Sequence, residues 1–100
     1  MLVTQGDGPQ ALAAYRKALA IREALAARDL ANAQWQTDVA LSCGNLGALE
    51  HGQSVEARRA HLVWGRDILL GLKAAERLMP NQDRTGWFDK QLGKLAEGQE

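Results

Sequence analysis

Cys43, His51 and His61 are the residues of this chain best suited to hold a metal or attack a carbonyl carbon. A zinc site draws its ligands from close pairs such as CxxC or HExxH, and the sequence contains neither pattern. A thiol nucleophile needs a positioned base and oxyanion donors. Cys43 instead falls on the apolar face of a helix, where it reads as a small buried hydrophobe. His61 takes an aromatic's place in a packing stripe, and His51 lies near a helix end where it meets free carbonyls. Gly6-Asp7-Gly8 precedes a helix but lacks the Lys-Ser/Thr of a phosphate loop and follows no strand, so it reads as a turn. Arg58, Arg59 and Arg66 beside Trp64 would suit nucleic acid, but Glu56 and Asp67 are interspersed, which makes a solvated helix face. The expectation is a protein with no catalytic, metal-binding or cofactor-binding residues, not an enzyme, with an enzyme of unrecognised type as the outlying alternative.

Composition points the same way. Twelve basic and twelve acidic residues cancel in 100, leaving no net field to gather a polyanion or an anionic membrane, so neither nucleic acid nor membrane is an expected partner. No apolar run approaches the ~20 residues of a membrane span. A single cysteine and no secretory pattern suggest a reducing cytoplasm. Hydrophobic residues make up 46% but only five are aromatic. Ala and Leu supply most of the apolar side chains, which favours helices packed closely through small residues.

The elements that must position these residues follow from three-and-four spacing. Ala11, Tyr15, Ala18, Ile21 or Arg22, and Leu25 form one face of a first helix over 9–29, with Asp7 or Gly8 as cap and Pro9 in its first turn. Asn32 caps a second helix over 33–51, carrying Trp35, Val39, Cys43, Leu46 and Leu49. Ser54 caps a third over 55–79, with Ala57, His61, Trp64, Ile68, Leu72, Ala75 and Met79 in a stripe ended by Pro80. Trp87 or Phe88, Leu92 and Leu95 mark a fourth over 84–97. Short connections make neighbours antiparallel, so the prediction is an all-α single domain of helical hairpins.

Gly6, Ala11 and Ala14 superpose on Gly52, Ala57 and Ala60, and the segment Ala26 to Asn32 resembles Ala74 to Asn81. Trp35 and Trp87 then open the helices that follow, as in a repeated two-helix unit. GDGPQALAAYRKALAIREALA, with Gly6, Ala11, Tyr15 and Ala18, resembles a second helix of the tetratricopeptide family in its long-helix bacterial form. Leu46-Gly47 resembles the Leu-Gly pair of a first helix, while His61 and Trp64 replace the usual Tyr and Ala of the next unit. The unit spans on the order of 45–50 residues against the family's 34. The resemblance implies a fragment of an α-solenoid with Ala11, Ala14, Ala18, Gly44 and Gly47 allowing close approach.

It also implies a concave groove, lined by first helices, that holds a peptide or a partner helix. Gly44 and Ala48 stand where a carboxylate clamp of that family has Lys and Asn, leaving a smoother groove to which Asp38, Ser42 and Asn45 add polar contacts. The expected function is a protein-interaction scaffold, with homo-oligomerisation as the alternative. Leu12, Leu19 and Leu25 on the first helix, and Trp87, Phe88, Leu92 and Leu95 on the last, offer apolar surface that a second copy would cover as a two-fold homodimer.

Overall fold

The computed structural model describes residues 8–49 and 52–98, and among these the chain is all-α. Four helices follow in order: α1 over Gly8–Arg28, α2 over Ala33–Ala48, α3 over Val55–Ala74 and α4 over Thr85–Gly98, with a single 3-10 turn at Pro80–Gln82. No strand occurs among the described residues. Asp7 and His51, read above as a cap and a helix-end residue, lie outside them.

The helix starts are written in the sequence. Asn32 Oδ1 accepts the Trp35 N–H at 3.0 Å and Ser54 Oγ accepts the Ala57 N–H at 3.0 Å, each satisfying an otherwise open donor of the first turn. The ends are less regular. α2 stops at Ala48 rather than continuing to 51, because Leu49 turns to extended backbone and the Gln53 Nε2 amide donates to the carbonyls of Leu46 and Leu49 at 2.6 and 2.8 Å. α3 stops at Ala74, short of the expected Met79, and a ten-residue connection replaces the expected few.

α2 is the central element, packing against α1 on one side and α3 on the other, while α4 lies on α3 and touches the edge of α2. Two core clusters result. One gathers Leu12, Leu19 and Ala26 of α1 with Val39, Cys43 and Leu46 of α2, flanked by Tyr15, Trp35 and Ile68. The other joins Ala40 of α2, Leu62 and Leu69 of α3, and Phe88 and Leu95 of α4.

The buried face of α1 is therefore one position away from the expected one. Leu12, Leu19 and Ala26, seven apart, form its seam, whereas Ala14 is exposed and Ile21 is 53% exposed. Arg22 is the half-buried member of the pair, bonded across to α2. In α3 the fully covered residues are Leu62, Gly65 and Leu69, and the expected stripe through His61, Trp64 and Ala75 lies along its margin or outside.

Close approach depends on three glycines. A methyl group at Gly47 would overlap Cγ and Cδ2 of Leu62, and one at Gly65 would lie 2.6 and 2.7 Å from the Phe88 ring. One at Gly44 would stand 3.1 Å from Trp87 Cζ3 and 3.2 Å from Phe88 Cζ. Phe88 therefore occupies a slot whose walls are the bare backbones of α2 and α3.

Candidate partner-binding groove

The outward side of that slot is a groove between α2 and α4. Leu41, Gly44 and Asn45 supply the α2 wall, three and four residues apart, and Trp87 and Phe88 of α4, with Arg84 just before it, supply the other. The start of α4 fixes the latter: the Thr85 N–H and hydroxyl both donate to Asp83 Oδ1, at 3.1 and 2.7 Å, and Lys73 Nζ reaches Asp83 Oδ2 at 2.9 Å. The Thr85 hydroxyl first, and then Lys73, hold the Asp83 carboxyl down at about 2. Trp87 and Phe88 meet edge to face, with centroids 5.0 Å apart at 87°. Phe88 turns into the core and Trp87 stays 37% exposed, facing Leu41, which is 38% exposed. Asn45 and Arg84 form a polar rim. The groove holds about 90 Å³, far below the ~300–1,000 Å³ of small-molecule pockets. Its size and apolar walls match one apolar side chain, with amide and guanidinium donors at the edge.

The five groove residues expected from sequence divide. Gly44 and Asn45 line this groove. Asp38 and Ser42 do not: they sit on the α1 side of α2, where Arg22 Nη1 donates to the Asp38 carbonyl at 3.3 Å and to Ser42 Oγ at 2.8 Å. Ser42 is buried, and the Asp38 carboxylate is taken within α2 by Gln34 Nε2 at 3.0 Å, so it is the Asp38 carbonyl and the Ser42 hydroxyl that tie α2 to α1 through Arg22. Ala48, exposed, borders a separate shallow opening with Tyr15, Asn45 and Leu49.

The residues expected to meet a second copy divide as well. Phe88 and Leu95 are buried in the second core cluster with Leu92 half-buried against it, and Leu12 and Leu19 are buried in the first. They are spent on internal packing, which leaves Trp87 as the accessible member of its set. Leu41 and Arg84 escaped the sequence reading. Leu41 stands outside the apolar stripe of α2, and Arg84 precedes α4, so only the packing of α4 over Gly44 brings them together.

The reactive side chains are occupied by structure. Burial, and then the charge of Glu23, push the Cys43 thiol up to about 12, so it stays protonated and unreactive. His61 Nδ1 lies 2.9 Å from the Ala57 carbonyl, and its ring stacks near Trp64 with centroids 6.5 Å apart. Arg58, expected in solvent, donates from Nε to the Gly47 carbonyl at 3.0 Å. Among the described residues no three His, Cys, Asp or Glu side chains converge as a metal site, and no helix is long and apolar enough to cross a membrane. No protein-family model matches the chain, and no curated protein or solved structure matches it significantly.

Proposed function

We propose that this chain is a protein-interaction module in which the α2–α4 groove receives an apolar side chain from an extended peptide or a partner helix. The observation that carries the reading is the pairing of Leu41 and Trp87, both more than a third exposed across a glycine floor at Gly44. Two large apolar groups lining one opening with hydrogen-bond donors at its rim make the kind of small pocket in which a partner's apolar anchor is held. Under the tetratricopeptide-like reading α2 and α4 would be the first helices of successive units, and the groove lies between them. The lone protonated thiol suits a cytoplasmic setting.

Selection of displayed random peptides on the immobilised chain tests this. Enriched peptides should share one large apolar anchor, and Leu41→Arg should abolish their binding while Arg28→Ala, on the exposed end of α1, leaves it intact. No enrichment, or peptides held equally by Leu41→Arg, would remove the groove from the function.

A further inference from the structure

α3 ends at Ala74, but its sequence does not end there. Ala74–Met79 reads AAERLM, a run of strong helix formers, and the first residue unable to continue a helix is Pro80. The helix is stopped by a Schellman turn: the Arg77 N–H donates to the Leu72 carbonyl at 2.8 Å and the Glu76 N–H to the Lys73 carbonyl at 3.0 Å. Glu76 occupies its left-handed position at φ 59°, the only non-glycine residue with positive φ among the described residues. That position normally falls to glycine, since a Cβ there crowds the following carbonyl. The turn is kept in place from outside. The Arg77 guanidinium donates to the Ala31 carbonyl, Gln82 Nε2 to Gln34 Oε1 at 3.1 Å, and Lys73 pairs with Asp83. Local preference and tertiary packing oppose each other at one place in the chain.

From this conflict we infer that the α3–α4 connection is a two-position hinge. In its second position α3 runs on to Met79, and α4 leaves its own slot for the same slot on a second copy of the chain. A continuous helix puts Met79 about 21 Å along the axis from Gly65, while α4 begins about one turn from Phe88, which must rest on Gly65. With roughly 9 Å between helix axes, the path from Met79 to Thr85 becomes about 19 Å. The intervening residues reach about 20 Å at full stretch, so α4 returns to its own slot only on a taut connector, without the 3-10 turn. The slot of a second copy imposes no such limit. It fits α4 by construction, with Phe88 between Gly44 and Gly65 and Asp89 Oδ1 3.2 Å from Arg66 Nη1. Exchanging one element between identical chains closes with two-fold symmetry. The extension also releases Glu76 from its left-handed backbone. The hinge does not depend on what the α2–α4 groove binds.

Sedimentation equilibrium on wild type, Glu76→Gly and Glu76→Ala, each unfolded and refolded at high micromolar concentration, tests the hinge. Glycine relieves the closed turn and weakens the extended helix, whereas alanine keeps the strain and favours extension. The dimer association constant should fall on the order of tenfold for Glu76→Gly and rise for Glu76→Ala. In a second arm, chains carrying Arg66→Cys and chains carrying Asp89→Cys, both with Cys43→Ala, are refolded together and oxidised. Exchange places these thiols across the two copies, so an inter-chain disulfide linking the two variants should form. Monomers under all conditions, equal constants for the two Glu76 variants, or a dimer lacking that disulfide would each overturn the inference.

Discussion

α2 makes two seams of opposite construction. Toward α1 the gap is filled by side chains, with Leu12, Leu19 and Ala26 against Val39, Cys43 and Leu46, and Arg22 bridging to Ser42 within the same interface. Toward α3 and α4 the gap is closed by missing side chains, with Gly47 under Leu62, and Gly44 and Gly65 on either side of Phe88. The first seam is harmed by removing atoms and the second by adding them. A helix can thus be packed by filling or by emptying its face, and α2 does each on a different side.

The largest effect that would break this contrast is expected at Phe88, because its ring lies against both Gly44 and Gly65. Phe88→Ala should destabilise by about 3–5 kcal/mol, read as a lower denaturant midpoint. An unchanged midpoint would mean that α4 contributes nothing to the second core. Next comes a sign test along α3, between a glycine inside the slot and one outside it. Gly65→Ala should cost about 1–3 kcal/mol through overpacking against the Phe88 ring, although alanine is the better helix former. Gly71→Ala on the same helix, where a methyl group meets nothing within 4 Å, should stabilise by about 0.5–1 kcal/mol. Thermal unfolding that moved both variants in one direction would show that helix propensity, rather than the slot, decides.

The smallest effect sharpens the comparison by pH. Asp83 is held at about 2 by Thr85 and Lys73, below its ordinary 3.8. A depressed carboxyl contributes stability that is present above its unfolded value and is lost as pH falls through the folded one. The α3–α4 side should therefore weaken between about pH 4 and pH 2. Asp83→Asn should flatten that part of the wild-type profile, followed by unfolding midpoint at each pH. Identical profiles would show that the carboxyl does not anchor α4.

The two seams were unequally legible in the sequence. The caps Asn32 and Ser54 could be read because their side chains act on residues three positions away, a local relation. The α1 seam lies one residue from the expected face because Ala11, Tyr15 and Ala18 fit helical spacing as well as Leu12 and Leu19 do, and alanine gives little sense of direction. Gly44 and Gly47 stood out within an apolar stretch, but Gly65 acquires meaning only when Phe88 arrives from another helix. The end of α3 was hidden for a stronger reason: AAERLM favours continuation, and contacts from Ala31, Gln34 and Asp83 override it. In the groove, Gly44 and Asn45 could be anticipated on α2, whereas Arg84 joins them only through the way α4 docks.

The connection that follows α3 leaves Met79 59% exposed, while the thiol of Cys43 is sealed in the core and held protonated. Oxidants act on accessible sulfur and on thiolate, so the two described sulfur atoms have opposite susceptibilities. Peroxide would convert Met79 to its sulfoxide long before it reached Cys43. That lesion falls on a solvent-facing side chain, can be reversed by reductases, and leaves both cores chemically untouched. By placement alone, the described part of the chain exposes a repairable sulfur and shelters the one whose oxidation can become permanent.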